Sequence, residues 1–134
     1  MKYITGLAAL NLPSLHAATG DWHGYDNHAS TQLVLDTDES PFGEWGVERR
    51  PVNGRMSYVA THPRAALDLI EQGLYSDAQG MREYYINDES LTEEIFALVM
   101  KLRDRDDWSA ISRLMGREYL CTWLDWLEKN DVRQ

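Results

Sequence analysis

Between residues 91 and 102 the apolar side chains Leu91, Ile95, Leu98, Val99 and Leu102 recur every three or four positions, while Glu93, Glu94, Lys101 and Asp104 fall largely off that stripe. This spacing predicts an amphipathic helix. Ser90-Leu91-Thr92-Glu93 in front of it matches a capping box, in which a serine hydroxyl accepts a backbone N–H and a glutamate reaches back to the cap. Trp108, Ile111, Leu114 and Met115 continue the helical spacing, with Asp107 placed to cap and Gly116 marking a break before Leu120, Trp123, Leu124 and Leu127. A helical hairpin is therefore expected to end the pattern. Upstream, a helix over residues 63–72 has Pro63 in its first turn and Gly73 as a left-handed stop. Its apolar face is Ala66, Leu67, Leu69 and Ile70, with Arg64, Asp68, Glu71 and Gln72 placed nearer to water. A shorter helix over 77–85 is interrupted by Gly80.

The first 60 residues have a different texture. Residues 1–5, 32–35 and 55–60 are short apolar and β-branched runs bounded by turn formers, and they read as strands. Residues 16–30 and 36–53 are dense in Gly, Asp, Asn and Ser and read as loops. The expected fold class is α+β: a small N-terminal antiparallel sheet with long loops, packed against a C-terminal bundle of about four helices. A single domain spans 1–134, with 1–60 strand- and loop-rich and 61–134 helical. No internal repeat divides it.

Composition changes this picture chiefly through charge. There are 22 Asp and Glu against 13 Lys and Arg, a formal net charge of −9. Direct binding to nucleic acid or an anionic membrane is disfavoured, because phosphate contacts require cations. A basic partner is expected instead, met by a monomer or homodimer. The lone Cys121 has no internal disulfide partner, and no signal-like segment opens the sequence, so the expected compartment is the cytoplasm.

Candidate chemistry is sparse. Asp21, His23 and His28, in the loop that also holds His16 and Asp26, together with His62, form the one set of residues suited to a transition metal. Their spacing matches no known metal motif, so a metal-dependent hydrolase is the alternative reading, not the leading one. Cys121 lies in an apolar helical pattern and reads as a buried, inert thiol. No nucleophile elbow, phosphate loop or dinucleotide fingerprint is present, and no cofactor is implied. Trp22 and Trp45 either pin their loops to the core or form an aromatic contact surface. Three acidic groups complete the candidate partner-binding set: Asp36, Asp38 and Glu39; Asp88, Glu89, Glu93 and Glu94; and Asp104, Asp106 and Asp107. Arg103 and Arg105 are placed to neutralise part of the last group.

The sequence also carries Met1-Lys2-Tyr3-Ile4-Thr5-Gly6, Gly20-Asp21-Trp22-His23, Phe42-Gly43-Glu44-Trp45-Gly46-Val47-Glu48 and the helix from Arg64 through Gly73. Ala78-Gln79-Gly80-Met81 and the stretch from Arg117-Glu118-Tyr119 to Trp123-Leu124 extend the pattern. In these motifs it resembles a group of small bacterial proteins of mobile and defence-associated gene neighbourhoods. The resemblance implies a role in conflict between bacteria, phages and plasmids, as an antitoxin or an anti-CRISPR protein, and carries over no catalytic residue. The combined expectation is a non-enzymatic acidic inhibitor that binds and neutralises a nucleic-acid-handling partner, a basic bacterial protein or ribonucleoprotein complex, with phosphate mimicry as one route. Charge reversal at Asp104, Asp106 and Asp107 is then expected to weaken partner binding and spare the fold.

Overall fold

The computed structural model describes residues 1–10, 33–52, 54–86 and 88–130. Within them the chain is α+β, with strands β1 (Lys2–Thr5), β2 (Leu33–Asp36), β3 (Val47–Val52) and β4 (Arg55–Ala60). A short helix, α1 (Gly6–Leu10), follows β1 directly, and the remaining helices are α2 (His62–Glu71), α3 (Tyr75–Ala78), α4 (Thr92–Val99), α5 (Trp108–Tyr119) and α6 (Cys121–Asn130). The sheet order is β2-β1-β4-β3.

Two features of the sheet depart from the sequence reading. The sheet is mixed and not antiparallel throughout: β2 runs antiparallel to β1 with Tyr3 opposite Leu35, but β1 and β4 are parallel, with Ile4 opposite Val59. The stretch 36–53, read as loop, contains β3, which pairs antiparallel with β4 from Val47 opposite Ala60 to Val52 opposite Arg55. Glu48-Arg49-Arg50-Pro51 disguises this strand. It lies at the sheet edge, where charges and a proline that cannot donate to a ladder are tolerated.

Helix α2 forms where its caps direct. Thr61 accepts the Arg64 N–H on its hydroxyl, and Gly73 at φ +78° ends the helix while Leu74 N–H returns to the Leu69 carbonyl. It is buried almost all round, including Arg64 and Asp68, both 0% exposed, which corrects the expectation that these two face water. The sequence pattern over 77–85 becomes α3, a left-handed Gly80 and a π-helical turn, Met81–Ile86, that buries Met81, Tyr85 and Ile86.

The predicted capping box does not form. Asp88 accepts both the backbone N–H (3.0 Å) and the hydroxyl (2.6 Å) of Ser90, opening a 3-10 turn over Glu89–Leu91, so α4 begins at Thr92 with no side-chain cap. Glu93 and Glu94 remain in the first helical turn, where carboxylates complement the helix dipole. Gly116 does not break α5 either. The helix runs on to Tyr119, and the chain turns at Leu120, a non-glycine residue at φ +55°. Asp107 stands at the N-cap position of α5 without capping it, because its carboxylate is engaged elsewhere.

The bundle core is aromatic. Phe96 meets Tyr119, Trp123 and Trp126 edge to face at centroid distances of 4.9, 5.0 and 5.5 Å, and Trp123 stacks on Trp126. Cys121 is exposed at the start of α6, contrary to the buried thiol expected, because Trp123 takes the inward position on that turn. No helix among the described residues is long and apolar enough to cross a membrane.

Candidate functional site

A groove of about 640 Å³ opens between the π-helical turn, the 3-10 turn before α4, and the α5–α6 corner. Its wall contains Glu83, Asp88, Glu89 and Glu93, with Arg82 as its one basic residue and Tyr119 among its uncharged ones. The backbone of the π-helical turn is held in place by specific contacts. Gly80 adopts φ +86°, and a Cβ there would approach the Tyr84 ring to 2.8 Å. The Glu118 carboxylate accepts the backbone N–H groups of Gly80 (3.1 Å) and Arg82 (3.3 Å), clamping the turn onto α5. The Tyr85 hydroxyl donates to the Asp77 carbonyl at 3.1 Å. These contacts set Arg82 and Glu83 outward at the rim, both exposed.

Tyr119, the last residue of α5, is 4% exposed. Its hydroxyl is buried and makes no hydrogen bond among the described residues. The Arg82 guanidinium lies 5.8 Å from the ring centroid. Burial, with the Glu118 carboxylate adding to it and Arg82 opposing, pushes the phenol up to about 12, so the hydroxyl keeps its proton at neutral pH.

The structure thus brings Asp88, Glu89 and Glu93 together and adds Glu83, which sequence reasoning missed. Glu83 belongs to no acidic run, and only the π-helical turn places it opposite the others. Glu94 is not a groove residue. Its carboxylate accepts the Trp45 indole N–H at 2.9 Å, and Trp45 packs against the core, so this tryptophan is at once a pin and a partly exposed rim. Asp36, at the end of β2, accepts from the Met1 amino group (2.9 Å) and the Asp38 N–H (3.0 Å), while Asp38 and Glu39 are exposed on the following 3-10 turn. None of these three lines the groove.

Asp104 and Asp106 are exposed after the end of α4, and Asp107 is half-buried. It receives the Tyr75 hydroxyl and both Nε (3.0 Å) and Nη2 (2.9 Å) of Arg105, whose Nη1 also reaches the Glu71 carbonyl at 2.8 Å. The Tyr75 hydroxyl first, then Arg105, hold the Asp107 carboxyl below its usual range. A carboxyl depressed in the folded state stabilises the fold above its unfolded pKa, near 3.8, and that contribution is lost as pH falls through the folded value. The stability gap between the native protein and Asp107→Asn is therefore expected to be widest at neutral pH and to close below about pH 4, read by chemical denaturation across pH. The charge reversal expected to spare the fold is thus suited to Asp104 and Asp106 and not to Asp107.

Deeper in the molecule lies a polar network absent from the sequence reading. Arg64 donates through Nε to Asp68 (3.0 Å), through Nη2 to the hydroxyls of Tyr3 (2.7 Å) and Ser40 (3.0 Å), and through Nη1 to the Trp45 carbonyl. The other Asp68 oxygen accepts the Tyr3 and Thr5 hydroxyls, each at 2.7 Å. Burial raises the Asp68 carboxyl, with Arg64 and the two hydroxyls pulling against it, and burial first, then the Asp68 carboxylate, raises the Tyr3 phenol as well. Gly46 is required beside this network, since a Cβ there would lie 2.7 Å from the Arg64 Cβ. The network joins β1, the 40–46 loop and α2, and so fixes where Trp45 meets Glu94.

Of the four residues of the alternative metal site, only His62 is among the described residues. Asp21, His23 and His28 lie outside them, as do His16, Asp26 and Trp22. His62 is 1% exposed at the start of α2. Among the described residues no three His, Cys, Asp or Glu side chains are grouped to hold a metal ion. Comparisons of the chain with protein-family models, with curated proteins and with solved structures gave no match.

Proposed function

We propose that this protein is a non-enzymatic binding protein whose acidic groove receives a basic segment of a partner protein. The observation that carries the reading is the convergence of Glu83, Asp88, Glu89 and Glu93 on one concavity. A carboxylate cluster in a protein of net charge −9 attracts a basic surface and speeds its encounter. A concave arrangement suits capture of a protruding lysine- or arginine-rich segment better than imitation of a duplex, which calls for carboxylates along a convex ridge. Nucleic-acid-handling proteins carry such basic segments to contact phosphates. The partner we infer is a basic nucleic-acid-handling protein, its nucleic-acid-binding surface blocked by occupation; the resemblance to proteins of defence-associated gene neighbourhoods implies a bacterial toxin or a CRISPR complex.

Glu89 and Glu93 are exposed, so reversing them to lysine leaves the core untouched. The Glu89→Lys, Glu93→Lys variant is expected to bind the partner about tenfold more weakly or worse at physiological salt while melting as the native protein does. Binding by the native protein is expected to weaken as salt rises, because exposed charge contacts are screened beyond roughly 8 Å at physiological ionic strength. Affinity that ignores both the reversal and the salt would refute the reading.

A further inference from the structure

The groove holds more than its carboxylates explain. A tyrosine hydroxyl withdrawn from water normally finds a partner, because an unmade hydrogen bond is costly to bury. The Tyr119 hydroxyl, in a wall residue of this groove, has none among the described residues. Over the same ring sits Arg82, an exposed residue whose guanidinium lies 5.8 Å from the ring centroid. The chain's own guanidinium thus already lies against an aromatic face in a groove whose wall holds four carboxylates, the kinds of group by which arginine is recognised through stacking and paired N–H donation.

We propose that the groove is an arginine-binding site: a partner arginine takes the place of Arg82 over Tyr119, donates to Glu89 and Glu93, and supplies the N–H that the Tyr119 hydroxyl lacks. This rests on the groove being the partner-binding surface, and it specifies the chemistry recognised. A divalent cation is not the occupant favoured, since no described cluster has ligands grouped for one. A lysine ammonium would satisfy the carboxylates but has neither the planar face to stack nor the fork of donors to serve a carboxylate and a phenol together. Arg82 acts as an internal competitor. Its removal should tighten the arginine peptide more than the lysine peptide, whereas loss of a positive charge alone would favour both equally.

The test uses the full chain and two probes, acetylated tetra-arginine amide and tetra-lysine amide, titrated by calorimetry at low salt. The arginine peptide is expected to bind about tenfold more tightly than the lysine peptide. Tyr119→Phe should remove most of that preference by weakening the arginine peptide about five- to tenfold while barely altering the lysine peptide. Arg82→Gln, at an exposed position, should strengthen the arginine peptide severalfold even if the tyrosine variant proves too unstable to measure. Equal affinity for the two peptides, or weaker arginine binding in Arg82→Gln, would overturn the proposal. The broader reading fails separately. A protein partner that is lost on reversal of Asp104 and Asp106 but not of Glu89 and Glu93 leaves an acidic binding protein with a different contact surface. Arginine binding that needs the groove, in a protein whose partner ignores it, retains the site and discards its proposed use.

Discussion

Replacing Asp68 with alanine is expected to lower the folding stability by about 3–5 kcal/mol, because it strands a charged guanidinium in the core. Arg64 is 0% exposed, and after the substitution its acceptors among the described residues would all be uncharged: the hydroxyls of Tyr3 and Ser40 and the Trp45 carbonyl. The Tyr3 and Thr5 hydroxyls would lose their shared acceptor at the same time. The result distinguishes two energetic accounts of the pair. If the ion pair were a large net source of stability, removing both partners would be as damaging as removing one. Since desolvation offsets most of the attraction, the double variant Arg64→Met, Asp68→Leu should recover much of the loss. Denaturant melts of the two single variants and the double variant supply the cycle. A double variant no more stable than Asp68→Ala would show the pair to be a net stabiliser in this fold.

Trp123→Ala is expected to cost a similar amount, about 3–5 kcal/mol, through a cavity in the helical half. Trp123 is fully buried, touches Phe96, stacks on Trp126 and lies 6.1 Å from Trp108, so its removal leaves three aromatic neighbours facing a void. Its indole N–H also donates to the Ser112 hydroxyl at 3.2 Å, tying α6 back to α5. Gly116 stands next to the indole, where a Cβ would lie 4.0 Å from its Cδ1, so nothing larger is present to collapse inward. Trp123→Phe should keep the ring packing and lose only the smaller share due to size and the hydrogen bond. Thermal unfolding of the two variants orders them. Equal losses would mean that the hydrogen bond, and not the volume, dominates.

How much of this was legible in the sequence depended on how local the signal was. Helix α2 could be read from Thr61, Pro63 and Gly73, because caps and stops act within a few residues, and its observed span, His62–Glu71, lies within one residue of the pattern at each end. The strands over residues 1–5, 32–35 and 55–60 announced themselves through β-branched and apolar runs, though Gln32 lies outside the described residues. Strand β3 did not, because edge position licenses the very charges and proline that argue against a strand. The Arg64–Asp68 pair was misread for a related reason. Opposite charges four residues apart are the mark of a solvated helix face, and the two arrangements differ only in what packs over them. A signal did exist: Ala65, Ala66, Leu67, Leu69 and Ile70 surround the pair so completely that the helix has no room for a wet side.

The site was less legible than the fold. Asp88, Glu89 and Glu93 stand close in sequence, but their convergence with Glu83 and Tyr119 depends on a π-helical turn and a helix corner that no periodicity announces. The capping box misled because Asp88, two residues ahead of Ser90, captured its N–H first. Charge count conveyed the sign of the surface; only three-dimensional packing separated Glu89 and Glu93, at a groove, from Glu94, bonded to Trp45, and from Asp107, bonded to Arg105.

The most direct test of the central claim is to measure, by calorimetry at several salt concentrations, binding of one purified basic partner to the native protein, to Glu89→Lys, Glu93→Lys, and to Asp104→Lys, Asp106→Lys. The account predicts salt-sensitive binding that the groove reversal abolishes or weakens about tenfold and that the reversal beyond α4 changes far less. Binding that survives the groove reversal intact at every salt concentration would contradict it.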